Sequence, residues 1–146
     1  MITFIAGAAG TGKTHFSERL FKSSGFLDNR IIHTDDYSYL DWKDQSRFLA
    51  GMIWGLIGDV ESQIVDNNYL LVVEGLSAAR VLRKLVEFSK DTLPHIQLFM
   101  MTHPRAEDRF KQSEQSAQKT ICLSIESKHV TFNMVKNAPT TIVPTV

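Results

Sequence analysis

The sequence contains little cysteine, no excess charge of either sign and no long apolar run. Its single cysteine, Cys122, rules out an internal disulfide, which fits a reducing compartment. The 16 basic and 16 acidic side chains cancel, so no overall basic field attracts nucleic acid, although a local basic groove remains open. No stretch approaches the roughly 20 apolar residues of a membrane helix, and the apolar start has no basic leader. We therefore expect a cytoplasmic protein without a membrane partner, folded as one domain over residues 1–146.

Short apolar runs alternate with amphipathic stretches along the chain. The predicted strands cover residues 2–6, 30–33, 69–73, 95–101 and 130–135. The predicted helices cover residues 13–22, 44–66, 78–90 and 104–119, and residues 120–127 receive no assignment. Strands that alternate with helices favour right-handed crossovers and a parallel sheet covered on both faces, which is an α/β fold.

The stretch GAAGTGKT, between the first predicted strand and helix, matches the phosphate-binding pattern G-x-x-x-x-G-K-T. In this pattern glycines let backbone N–H groups approach an anion, and the following helix adds the positive end of its dipole. Lys13 is expected to reach the β and γ phosphates, and the Thr14 hydroxyl to ligate Mg²⁺. The residues expected to contact the nucleotide are Gly7, Ala8, Ala9, Gly10, Thr11, Gly12, Lys13, Thr14 and His15.

Acidic side chains follow the second and third predicted strands. Asp35 and Asp36 come directly after the second strand, and Glu74 ends the third. Because ligands of parallel sheets bind at the carboxyl ends of the strands, these carboxylates are expected on the rim of the phosphate loop. There a carboxylate can take a proton from an acceptor hydroxyl, and another can hold Mg²⁺ through water. Alternatively, Asp35 and Asp36 form an ordinary turn or helix cap, and Glu74 faces solvent.

Together these elements resemble the small P-loop kinases, which include uridine kinase, nicotinamide riboside kinase, the polynucleotide 5′-kinases and the zeta-type kinases. The resemblance rests on G-x-x-G-x-G-K-T in the loop, Asp-Asp-Tyr at residues 35–37 and Val-Glu-Gly at residues 73–75. It covers about residues 1–111 and departs at Thr34, where these families have Gln or Arg. It implies a three-layer α/β/α P-loop NTPase with a five-stranded parallel sheet, the first strand at its centre, that uses ATP and Mg²⁺.

The resemblance also implies roles for single residues. Asp35 would be the catalytic base, and Asp36 an accessory carboxylate for the metal or the acceptor. A lid of about residues 103–120 would carry Arg105 and Arg109 over the γ phosphate, next to Lys13 as a catalytic cation. Alternatively, that stretch is a solvated helix with internal salt bridges.

Two further features carry weaker implications. Asn137 follows the last predicted strand, where these kinases pass the adenine. The histidines show no metal-ligand spacing and receive no metal-binding role.

Three hypotheses for the acceptor follow. The first is a hydroxyl-bearing, nucleoside-like small molecule, with Tyr37, Tyr39 and Trp42 stacked on it; alternatively, these aromatic side chains belong to the core. The second is a polynucleotide, modified at a 5′ end or a base. The third is a nucleotide-binding regulatory protein with little or no transfer. In that case the apolar stretch from Met52 to Leu56, with Ile53 and Trp54, would pack another subunit, and a homodimer is one such arrangement.

Overall fold

The computed structural model describes residues 1–8, 10–24, 28–59, 69–90, 92–103 and 111–136. Its strands are β1 (Ile2–Ala6), β2 (Asp28–His33), β3 (Tyr69–Glu74), β4 (Ile96–Met101) and β5 (Val130–Val135). Its helices are α1 (Lys13–Ser24), α2 (Trp42–Gly58), α3 (Ala78–Ser89) and α4 (Gln112–Ser124), with a short 3₁₀ helix at Thr34–Tyr37.

The strands form one parallel sheet in the order β2-β3-β1-β4-β5. The predicted α/β fold with a five-stranded parallel sheet, β1 at its centre, is confirmed. Every residue of β1 is buried, because strands lie on both of its edges and helices cover the sheet. The carboxyl ends of β1, β2 and β3 therefore lie side by side at one rim.

Apolar side chains cover both faces of the sheet. On one face, Phe16 and Leu20 of α1 pack with Ile5 of β1. On the other face, α2, α3 and α4 contribute buried side chains such as Ile53 and Leu82 to a larger cluster. The described residues are thus compatible with a three-layer α/β/α arrangement.

The helices differ from their predicted bounds by one or two residues in α1 and α3 and by more in α2 and α4. α2 begins at Trp42, because the Asp41 carboxylate caps it by accepting a hydrogen bond from the Asp44 N–H at 2.8 Å. It ends at Gly58, since the backbone of Asp59 is extended, and residues 60–66 of the predicted helix lie outside the described residues. α4 continues past residue 119 to Ser124, since buried Ile121 and Cys122 anchor its last turn in the core. The part of the unassigned segment up to Ser124 is therefore helical.

α3 illustrates how the helices divide their faces. Its side chains Val81, Leu82 and Leu85 are buried, whereas Arg80 and Arg83 on the opposite face reach the surface. This division follows from the helical repeat, which places residues three and four apart on one side. Within the described residues, no helix has both the length and the apolar character needed to cross a bilayer.

Candidate functional site at the phosphate loop

Positive φ angles at glycines mark the described part of the loop between β1 and α1. Gly10 and Gly12 have φ angles of +83° and +86°, which let successive backbone N–H groups form a concave surface. α1 begins at Lys13, so the N–H groups of its first turn have no partner within the helix. Such a helix start attracts anions, and the described part of the loop therefore fits phosphate groups.

Lys13 is held inside the loop. Its Nζ donates a hydrogen bond to the Ala8 carbonyl oxygen at 2.9 Å, and the residue is only 8% exposed. Burial lowers the pKa of the ammonium below its ordinary value, and the negative charges of Glu74, Asp35 and Glu114 offset part of this effect. Three carboxylates from three different elements thus lie near enough to act on one ammonium. Asp35 and Glu74, which the sequence predicts at the rim of the loop, are thus among the groups whose charge acts on Lys13.

Two glutamines of α4 support the start of the loop. The Gly7 N–H donates to Gln118 Oε1 and the Ala8 N–H to Gln115 Oε1, both at 2.7 Å. Gln115 also donates through Nε2 to the Met101 carbonyl oxygen at the end of β4. Neither glutamine was predicted from the sequence. Gln115 and Gln118 are three residues apart on the face of α4 that also carries Cys122. This spacing is the signal that could have suggested a supporting role.

Glu74 lies at the rim with a partner that the sequence analysis left without a role. His33 and Glu74 are the last residues of β2 and β3 and are paired in register. His33 Nδ1 contacts Glu74 Oε1, and Glu74 is buried. The alternative that Glu74 faces solvent is wrong for this reason. A buried carboxylate needs such a partner, and the contact also fixes the direction of the carboxylate.

Asp35 lies where the 3₁₀ helix meets the turn after β3. Its Oδ1 faces the Leu76 N–H at an N–O distance of 3.5 Å. In the same turn, Gly75 has a φ angle of +135°, and a Cβ at this position would lie 2.0 Å from Thr34 Oγ1. Thr34 is fully buried and its Oγ1 accepts a hydrogen bond from the Ser77 N–H at 3.3 Å. Thr34, which departs from the kinase pattern, thus connects the end of β2 with the turn after β3. Asp35, the next residue, is exposed at the rim.

The oxygen donors at the rim fit Mg²⁺ that is bound together with phosphate. Thr14 is exposed on the first turn of α1, Asp36 is exposed beside Asp35, and Glu74 ends β3. Among the residues that the structure describes, no cluster of three His, Cys, Asp or Glu side chains could hold a metal. Mg²⁺ suits such a site, since it keeps several waters and needs only one or two carboxylates besides phosphate oxygens.

The predicted acceptor-stacking residues occupy different environments. Tyr37 is half-buried, packs against the core and has its ring 5.7 Å from that of Phe48. Tyr39, 6.4 Å from the Tyr37 ring, is 76% exposed. Trp42 is 56% exposed and has the Arg80 guanidinium 5.6 Å from its ring centroid. Core packing therefore accounts for Tyr37, whereas Tyr39 and Trp42 are free to meet a ligand.

Several predicted site residues lie outside the part of the chain that the structure describes: Ala9, Arg105, Arg109 and Asn137. His15 is exposed on the first turn of α1, next to Thr14. Of the predicted lid, residues 112–120 belong to α4, which packs on the core and bonds to the loop. The lid itself and its arginines remain a prediction.

The chain was also compared with known proteins. No family model matches it, and a search of curated proteins finds no match. The resemblance to small P-loop kinases rests on the residues of the loop and of the two strand ends that follow it.

Proposed function

We propose that the protein is an ATP- and Mg²⁺-dependent phosphotransferase that moves the γ phosphoryl group to a hydroxyl of a nucleoside-like molecule. One observation carries the proposal: the Lys13 ammonium, in a glycine-containing loop at a helix start, shares its electrostatic environment with Asp35 and Glu74 at two neighbouring strand ends. Phosphoryl transfer needs these three kinds of group close together: a cation for phosphate, a carboxylate for the metal and a carboxylate for the acceptor.

Lys13 and the N–H groups at the start of α1 hold the phosphates of ATP in this proposal. Lys13 exchanges its bond to the Ala8 carbonyl for bonds to phosphate oxygens. Because burial disfavours the unpaired ammonium, a bound anion is a favourable partner for it. Gln115 and Gln118 keep the first residues of the loop in place while this exchange occurs.

Asp35 acts on the acceptor. It accepts the proton of the acceptor hydroxyl as the bond from that oxygen to the γ phosphorus forms. The bond between the γ phosphorus and the bridging oxygen breaks at the same time, and ADP leaves. Asp35 suits this role because it is exposed at the rim and yet close enough to act on the pKa of Lys13.

Thr14 and Glu74 would hold Mg²⁺, Thr14 through its hydroxyl and Glu74 through water, with Asp36 as an accessory ligand. The metal would supply positive charge to the phosphates. His33 holds the Glu74 carboxylate in one direction, which places a negative group at the rim without a rearrangement on binding.

The acceptor is nucleoside-like in this proposal because the Glu-Gly element at residues 74–75 resembles that of the nucleoside kinases. The regulatory alternative has less support from packing than the sequence suggested. Ile53 is fully buried in the core of its own chain, and Met52, Trp54 and Leu56 pack partly against the same core. These residues therefore offer little surface to another subunit.

Transfer from γ-labelled ATP to a panel of nucleosides, nucleotides, and DNA and RNA oligomers tests the proposal. Label in a nucleoside supports it, and label in a polymer keeps the mechanism but changes the acceptor. ATP binding without label in any acceptor favours the regulatory alternative. The Asp35→Asn variant is the control, because label that depends on the protein but not on Asp35 contradicts the assigned base.

A further inference from the structure

A groove on the outer surface between α2 and α3 is separate from the phosphate loop. Its volume is about 310 Å³, and it is lined by Trp42, Lys43, Ser46, Arg47, Arg80, Arg83, Lys84 and Glu87. On α3 the lining residues recur at three- and four-residue spacing, so they form one outward stripe. The first turns of α2 supply the other wall.

The groove is strongly basic although the whole chain carries no net charge. Lys43, Arg47, Arg80, Arg83 and Lys84 line it, and among the described lining residues Glu87 is the one acidic side chain. Glu87 pairs with Lys84, whose Nζ lies 2.8 Å from Glu87 Oε2. The other four cations give the groove an excess of positive charge. A cluster of like charges in a concavity raises the local concentration of anions.

Trp42 gives the groove a flat apolar surface among these cations. Its side chain is 56% exposed at the start of α2, and the cations of Arg80 and Lys43 lie 5.6 and 5.7 Å from its ring centroid. An exposed tryptophan among cations suits single-stranded nucleic acid, since a base that replaces one of the cations over the ring can stack there while the cations meet phosphates.

We infer that this groove binds a single strand of nucleic acid, with phosphates on the arginines and lysines and a base on Trp42. A duplex fits less well, because its bases are already stacked on one another and do not reach Trp42. A lipid surface fits poorly, because the groove lacks an apolar stripe for insertion. The unstacked base of a single strand can reach Trp42.

Both walls of the groove begin near Asp35, α2 along the chain and α3 through the turn that precedes it. Arg80 lies on the first turn of α3, four residues after Leu76, whose N–H faces the Asp35 carboxylate. Trp42 begins α2 shortly after the 3₁₀ helix that contains Asp35. Binding of the strand does not depend on phosphoryl transfer, so the two proposals can fail separately.

Fluorescence anisotropy with labelled 12-residue oligonucleotides, without ATP or Mg²⁺, tests the inference. Single-stranded DNA and RNA of one sequence are compared with the corresponding duplex over a range of salt concentrations. We expect a single strand to bind more tightly than the duplex, and the tighter of DNA and RNA identifies the sugar. The logarithm of the binding constant should fall with the logarithm of salt, because phosphate contacts release counterions.

Matched variants locate the site. The double variant Arg47→Ala, Arg83→Ala should bind a single strand about tenfold or more weakly. The slope of the logarithm of its binding constant against the logarithm of salt should be less steep by about 1.4, that is, roughly 0.7 for each lost phosphate contact. Lys119→Ala with Lys128→Ala removes two exposed charges outside the groove and should change neither quantity. Trp42→Leu should weaken binding about fivefold or more at an unchanged salt slope, because a stacked base is lost.

Four results would overturn the inference. Two concern the oligonucleotides: equal affinity for duplex and single strand, and equal losses of affinity in the groove variant and the control variant. The other two concern other ligands: a nucleoside monophosphate that binds in the groove as tightly as the single strand, and stronger binding to phosphatidylserine vesicles than to any oligonucleotide. Circular dichroism of each variant ensures that a loss of binding is not a loss of fold.

Discussion

His33 Nδ1 contacts Glu74 Oε1 across the ends of two neighbouring parallel strands. The contact fixes a buried carboxylate beside the phosphate loop, where its charge acts on the pKa of Lys13. A carboxylate that is already oriented loses less freedom when it meets a metal-bound water. The pairing therefore connects the register of the sheet with the proposed metal site.

His33→Ala should lower the apparent Mg²⁺ affinity of the nucleotide-loaded protein by about tenfold or more, as is usual when a residue that supports a metal ligand is removed. His33→Asn is the matched control, because its side-chain amide keeps a donor near the position of Nδ1 and should lose less. The measurement is a Mg²⁺ titration of phosphoryl transfer. Equal Mg²⁺ dependence in wild type and His33→Ala would leave the contact without a role in metal binding.

Asp35→Asn should keep ATP binding and reduce phosphoryl transfer by about 100-fold or more, because the amide cannot accept the hydroxyl proton. Asp36→Asn changes the neighbouring carboxylate in the same way and should have a smaller effect. Single-turnover transfer and ATP titration, made on the same preparations, separate chemistry from binding. A fall in ATP affinity that matches the fall in rate would place Asp35 in nucleotide binding instead.

Gly75→Ala should destabilise the fold by about 1–3 kcal/mol or more, since an L residue is strained at its φ of +135° and the Cβ would lie 2.0 Å from Thr34 Oγ1. Gly55→Ala is the control, because α2 leaves open space around a Cβ at that position. It should stabilise the protein by about 0.5–1 kcal/mol. Urea unfolding measures both changes, and similar effects of the two substitutions would show that the turn after β3 carries no strain.

Cys122 makes stability depend on alkaline pH. Burial raises the pKa of its thiol to about 12, whereas the pKa of the unfolded thiol is about 8.5. Between these values the unfolded chain releases a proton that the folded chain keeps, so stability falls as pH rises. The free energy of unfolding of wild type relative to Cys122→Ala should fall by about 2 kcal/mol from pH 8 to pH 10. A difference that does not change with pH would mean that the thiol is not protected by folding.

Local sequence patterns predicted much of the site. The glycine-containing loop, Lys13 and the start of α1 are contiguous, so their arrangement follows from a short stretch of chain. Asp35 and Glu74 could be placed at one rim because parallel topology brings the carboxyl ends of neighbouring strands together. These parts required no knowledge of register or side-chain packing.

The remainder depends on contacts between distant residues. The contact of His33 with Glu74 requires the register of β2 and β3, which the sequence pattern leaves open. The bond from the Gly7 N–H to Gln118 spans 111 residues of chain. The basic groove arises only when α2 packs beside α3, as with Trp42 and Arg80, so a net charge of zero concealed it.

The most direct test of the account is the affinity for Mg²⁺·ATP, measured by titration calorimetry for wild type, Lys13→Ala and Lys22→Ala. Lys22 is exposed on the last turn of the same helix and serves as the control. Lys13→Ala should bind about tenfold or more weakly, since a charged hydrogen bond to phosphate is lost, and Lys22→Ala should bind as wild type does. Equal affinity in Lys13→Ala and wild type would contradict the role of Lys13 in binding phosphate.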